Sequence, residues 1–190
     1  MKDQTSFKKG GWNESDYQYI YSLKCRSFQE FVQEDGCICN KQDSKTGEYD
    51  YVSVIAKKKY HTGALLSAHC SFEKYGAPII VIAEDIGKDR LGRLRFGRHF
   101  EVVAYEGGVN VWYLEPAGDT VRPVNIIRRK FDVPAKKELC LTVAVNKQSL
   151  SVSLEENRFT VGWDGLPAEF YAGITACEGI NRFYDFSAEE

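Results

Sequence analysis

At 190 residues, with 43% hydrophobic and 27% charged side chains, the chain has the composition of a folded globular domain, which excludes disorder, collagen and coiled coil as its main architecture. Its 25 basic and 27 acidic side chains leave a formal charge of −2. No overall field gathers nucleic acid or an anionic membrane surface, no apolar run approaches the ~18 residues of a spanning helix, and neutral ligands are favoured.

Residues 1–16 are polar and glycine-containing and read as a flexible lead-in, with a single domain expected over 17–190. The short runs YQYIYSL, VSVIA, GALLSAHCSF, APIIVIAED, HFEVVAYE, VNVWYL, LCLTVAVN, SLSVSLE, RFTVGW and FYAGITA then follow in order, roughly ten strands. They are rich in β-branched and aromatic residues and are separated by Gly, Pro, Asn and Asp clusters about 8–15 residues apart, the spacing of an all-β sandwich. Only SFQEFVQEDG offers a short helix. Met occurs once, so the core is built from branched aliphatic and aromatic side chains that suit pleated surfaces.

Of the six cysteines, Cys70, Cys140 and Cys177 interrupt apolar runs and read as small buried hydrophobes. Cys37 and Cys39 form a C-x-C with no second pair at zinc spacing, and Cys25 stands alone. No apolar h-region follows Met1, which points to the cytoplasm and reduced thiols, with a mature secreted form left open.

Two hairpins are legible. In HFEVVAYEGGVNVWYL the Gly107-Gly108 pair suits a tight primed turn, which would set Tyr105 opposite Asn110, Val103 opposite Trp112 and Glu101 opposite Leu114. One face then carries His99, Glu101, Val103, Tyr105, Asn110 and Trp112. The other carries Phe100, Val102, Ala104, Val109, Val111 and Tyr113, the more apolar set and the expected inter-sheet core. In LCLTVAVNKQSLSVSLE a turn at Asn146-Lys147-Gln148 separates an apolar row, Leu139, Leu141, Val143 and Val145, from a polar one of serines. The basic runs Lys57-Lys58-Lys59 and Arg128-Arg129 read as guards of strand edges.

Residues from about 60 to 188 resemble the concanavalin A-like lectin/glucanase superfamily, a jelly-roll β-sandwich of two antiparallel sheets that includes laminin-G-like modules. The resemblance rests on the order GALLSAHC, HFEVVAYEGGVNVWYL, LTVAVNKQSLSVSLE with FTVG, and the closing LPAEFYAGITACEGINRFYDF. It implies a concave sheet that, where glycans bind, holds them on that face or its rim.

Sugar recognition needs aromatic planes for the apolar faces of pyranose rings and polar groups for the hydroxyls. Trp112, Tyr105, Asn110, His99 and Glu101 meet that description on one face. The bland alternative is that Trp112 covers a sheet and Glu101 pairs with Arg95 or Arg98. His69 and Glu84-Asp85 end neighbouring apolar runs and are expected to reach the same concavity, with Arg182 and Tyr184 placed near it on the last strand. GKDRLGRLRFG, with Gly87, Gly92 and Gly97, reads as a mobile rim loop whose Arg90, Arg93 and Arg95 can meet an acidic ligand.

Glycoside hydrolysis needs two carboxyls about 5–5.5 Å or 6.5–9.5 Å apart. The E-x-D-x-x-E pattern of the glucanase branch is absent, and the odd spacing of Glu101 and Glu106 sets them on opposite faces of a regular strand. Glu101 paired with Glu84 or Asp85, with His99 as a further acid or base, keeps an enzyme open. So does a lyase using His99 or Tyr105 against a uronate held by Arg95 or Arg182. No cofactor and no metal is expected, since Asp43 and Asp50 are too dispersed for a calcium loop. The expected partner is an oligosaccharide or polysaccharide, with no nucleic acid and no membrane. Binding is the first reading. A glycan-cleaving enzyme on Glu101 and His99 is the alternative, and a protein-interaction surface around Trp112 the third.

Overall fold

The computed structural model describes residues 2–22, 30–40, 51–118 and 120–190, and in them the period-two patterning resolves into strands. In chain order these are Lys2–Ser6 (β1), Tyr17–Ile20 (β2), Val32–Gln33 (β3), Ile38–Cys39 (β4), Tyr51–His61 (β5) and Leu65–Phe72 (β6). Ala77–Ala83 (β7), Ile86–Lys88 (β8), Leu94–Phe96 (β9), His99–Tyr105 (β10), Gly108–Ala117 (β11) and Thr120–Lys130 (β12) follow. The last are Leu139–Val145 (β13), Ser149–Leu154 (β14), Asn157–Gly162 (β15), Glu169–Cys177 (β16) and Asn181–Glu189 (β17).

Two antiparallel sheets hold most of them. One, of seven strands, runs β12-β11-β10-β7-β16-β5-β2; the other runs β15-β14-β13-β6-β17-β4-β3, with β1 beside β17. Their inner faces interdigitate to form the core. Phe100, Val102, Ala104, Val109 and Val111 supply it from the first sheet and Leu139, Leu141, Val143 and Val145 from the second, as their alternation predicts. Central β7 is buried at every position, because Ile80 and Ile82 face that core while Ile79, Val81 and Ala83 enter a second apolar cluster on the sheet's outer face. Cys70 and Cys177 are buried as expected of small hydrophobes, and Cys37 and Cys39 flank and end β4. Cys25, Asp43 and Asp50 lie outside the described residues.

Three expectations are corrected, and one long strand outside the expected runs is added. The expected lead-in is, over residues 2–16, no loose segment: β1 pairs with β17 from Lys2 opposite Glu189 to Ser6 opposite Asp185, and Phe7 is fully buried. The polar sequence KDQTS misled because an edge strand buries little of its side chains, whereas Phe7, Trp12 and Tyr17 pack edge to face behind it. The expected helix over SFQEFVQEDG is, in its described part, strand β3, paired with β4. TVRPVNIIRRK forms the 11-residue edge strand β12, its proline tolerated because the edge needs fewer donors. Finally, the expected mobile rim loop is a hairpin: β8 pairs with β9, and Ile86, Leu94 and Phe96 pack on the outer cluster.

The hairpin of β10 and β11 turns one step earlier than expected. Tyr105 pairs with Gly108, Val103 with Asn110, Glu101 with Trp112 and His99 with Leu114, so the loop is Glu106-Gly107. Gly108 is drawn into the strand because it alone tolerates the site: its φ is 131° and a Cβ there would strike the carbonyl of Arg129 on β12. Each partner shifts by two, the pleat period, so both faces keep their residues.

Candidate functional site

The outer face of the seven-stranded sheet carries a groove of about 590 Å³, inside the size range of small-ligand sites. Its floor is apolar, from Ala77 and Ile79 on β7, Val103 on β10 and Leu114 on β11. Four aromatic side chains line it: Tyr105 and Trp112 from the hairpin, Tyr51 from the start of β5, and Tyr75 from the turn between β6 and β7. The polar groups are Glu101, Asn110, Glu106 and Glu178. Pairing places Glu101 beside Trp112 and Asn110 beside Val103, so the strand ladder itself sets an acid against an indole and an amide against an aliphatic side chain.

Several of these groups are held away from their easiest states. Asn110 Oδ1 is buried without a hydrogen-bond partner, a cost of about 1–3 kcal/mol. Tyr75 and Glu178 adopt positive φ, 67° and 53°, in the left-handed region that residues other than glycine seldom occupy. Gly179, with φ 40°, follows Glu178, and a Cβ there would meet the backbone of the β6–β7 turn, so the two turns are packed against each other. Burial raises the Glu178 carboxyl above the ordinary glutamate value. The Tyr51 phenol is raised well above its own, first by burial and then by the Glu101 charge; it also bonds Cys177.

His99 stands behind the groove. Its Nδ1 is 2.8 Å from the Gly97 carbonyl oxygen, its Nε2 is 3.6 Å from Glu101 Oε1, and its ring lies 4.8 Å from that of Phe96. It lines instead a crevice of about 30 Å³ with Arg95, Tyr51 and Glu101. Arg95, expected at the rim, is there, with Nη1 donating to the Gly118 carbonyl at 3.3 Å. Thus of the expected site residues Glu101, Tyr105, Asn110 and Trp112 share the groove, with His99 and Arg95 adjoining it.

No protein-family model and no curated protein matches the chain. Solved structures do. β-Agarase A from Zobellia galactanivorans superposes with a TM-score of 0.69 at 9% identity, covering 97% of this chain and 88% of that one. The carbohydrate-binding module CBM66 from Bacillus subtilis gives 0.62 at 11%, over 86% of this chain and 100% of that one. The exoplasmic/lumenal domain of VIP36, in a Ca2+/Man3GlcNAc-bound form, gives 0.56 at 13%, over 96% and 87%. The fold is a concanavalin A-like jelly roll.

Five expected contributors to this jelly roll's groove lie elsewhere. His69 is on β6 of the opposite sheet, where Nδ1 pairs with Asp185 at 2.9 Å. Arg182 and Tyr184 are on the same outer surface: Arg182 bridges Glu34 and Glu73, and the Tyr184 hydroxyl meets that of Ser71 at 2.9 Å. A bulge between Phe183 and Asp185 breaks the alternation from which β17's faces were read. Glu84 pairs with Arg98 at 2.6 Å at the end of β7. Asp85 accepts from the backbone N–H of Arg98 at 3.1 Å and braces the base of the β8–β9 hairpin, so neither acid faces Glu101. Conversely, Glu106 joins Glu101 in the groove despite the odd spacing, because it belongs to the turn and has left the strand's alternation.

Tyr51, Tyr75 and Glu178 were missed. The signal for two of them was present: KYG and CEG each place a large or charged residue before glycine just outside a strand of this sheet.

Proposed function

We propose that this protein binds a glycan in the groove, stacking a sugar on Trp112 and Tyr105 and hydrogen-bonding its hydroxyls through Glu101 and Asn110. The observation that carries the reading is the convergence of those aromatics with Glu101 and Asn110 over an apolar floor. Neighbours of the same fold support it, since they include a carbohydrate-binding module, the VIP36 exoplasmic/lumenal domain in a Man3GlcNAc-bound form, and a β-agarase.

A second reading, a glycan-cleaving enzyme, draws on one observation: Glu101 and Glu178 share the groove, and burial raises the Glu178 carboxyl above the ordinary glutamate value. His99 then acts through Glu101 as a positioning residue. The protein-interaction reading required Trp112 in a flat apolar patch; Trp112 lies in a groove instead.

The test is an oligosaccharide panel read by thermal shift and, on the same samples, by mass spectrometry for products. Wild type is expected to shift without product, and Trp112→Ala to lose on the order of tenfold in affinity. Product from wild type that vanishes in Glu101→Gln would establish the enzyme instead.

A further inference from the structure

The side chains of the groove are one-sided in chemistry. Glu101, Glu106 and Glu178 line it, and no lysine, arginine or histidine does among the described residues. Glu106 and Glu178 form no ion pair with a described basic side chain, while Glu101 has only the His99 ring at 3.6 Å. The unpartnered amide atom is likewise an acceptor, the oxygen of Asn110. Net charge does not explain this, because the whole chain is close to neutral at −2.

We propose, resting on the glycan reading above, that the groove selects oligosaccharides carrying free amino groups, with the sugar ammonium set among the three glutamates and the faces of Trp112 and Tyr105. An ammonium gains from both, since carboxylates attract it and aromatic faces carry the negative side of the ring quadrupole. Its N–H groups are donors, the complement of an acceptor-rich lining. A uronate or sulfate would bring a negative charge against three carboxyls with no cation to receive it. An N-acetylated sugar would forfeit the charge interaction. Basic residues do stand outside the groove: Arg128 and Lys130 pair opposite Asn110 and Gly108 on the edge strand, exposed, and Lys74 covers Tyr75 at 4.9 Å. They mark where the acidic lining ends.

The test is calorimetry on the full chain with length-matched trimers: β-1,4-linked N-acetylglucosamine, its fully deacetylated counterpart, β-1,4-linked glucose and a uronate trimer. Mildly acidic pH keeps the sugar amine charged. The deacetylated trimer is expected to bind on the order of tenfold tighter than the neutral ones, a difference of about 1.4 kcal/mol, and its advantage to shrink as salt rises. Glu106→Gln with Glu178→Gln, both in surface turns, is expected to bring that ratio toward one. Equal or tighter binding of the acetylated, glucose or uronate trimer would overturn the amine preference and leave glycan binding standing. Silence from all four trimers would overturn the glycan reading itself, and this inference with it.

Discussion

His99 Nε2 faces Glu101 Oε1 at 3.6 Å while its Nδ1 donates to the Gly97 carbonyl, so one buried imidazole ties the base of the β8–β9 hairpin to an acid of the groove. The carbonyl only accepts, so the proton on Nδ1 is fixed and Nε2 is the atom left for Glu101. His99→Ala is expected to cost about 2–4 kcal/mol in urea unfolding, through lost packing on Phe96 and an orphaned carbonyl. Glycan affinity of the folded variant should change by less than about tenfold, because His99 does not line the groove. A larger loss with the fold intact would put the imidazole in contact with ligand.

Glu178 predicts a pH dependence of stability. Burial raises its folded value above the ordinary one, near about 4.3, so over the intervening range the folded state holds a proton that the unfolded chain has lost. The contribution of this residue to stability is therefore greatest below both values and falls as pH rises through the window. Denaturant midpoints of wild type minus those of Glu178→Gln should decline over that rise. A difference that is flat or climbs would show that the carboxyl is not desolvated.

At Gly108 the expected effect is mechanical. Gly108→Ala forces a Cβ toward the Arg129 carbonyl at a backbone angle that alanine rarely adopts, and the loss should be about 2–4 kcal/mol in chemical denaturation. Gly107→Ala meets only the Tyr105 ring, which can turn aside, and should cost about 1 kcal/mol or less. Equal effects at the two positions would mean that the turn has the other register.

Arg182→Ala serves as the control for the site. Arg182 bridges Glu34 and Glu73 on the opposite sheet, and its loss leaves two half-buried carboxylates without their cation. A destabilisation of about 1 kcal/mol is expected in thermal unfolding, with glycan affinity unchanged in calorimetry. Weakened binding would revive the placement of this arginine near the ligand.

The sheet faces were legible because alternation survives wherever strands are regular. Phe100 to Tyr113 on one side and Glu101 to Trp112 on the other were separable from periodicity alone, and even a misplaced turn left them intact. What escaped were the departures from period two. The β17 bulge moved Asp185 to the face of His69, and the β10–β11 turn released Glu106 from its expected side. Tyr75 and Glu178 sit in turns that pack together only in the folded sheet, and no local pattern records which turns become neighbours. The β8–β9 hairpin was hidden by its arginines and glycines, since only Ile86, Leu94 and Phe96 face inward.

That hairpin also determines how far a chain-like molecule can travel. On the side of Glu101 toward Glu106 and Glu178 the open space is about 590 Å³; on the side toward Phe96 and Arg95 it narrows to about 30 Å³. Among the described residues, the space beside Glu101 therefore tapers toward the hairpin. On the glycan reading proposed above, a chain entering past Tyr105 would bring its terminal unit, and not an internal stretch, to rest beside Glu101.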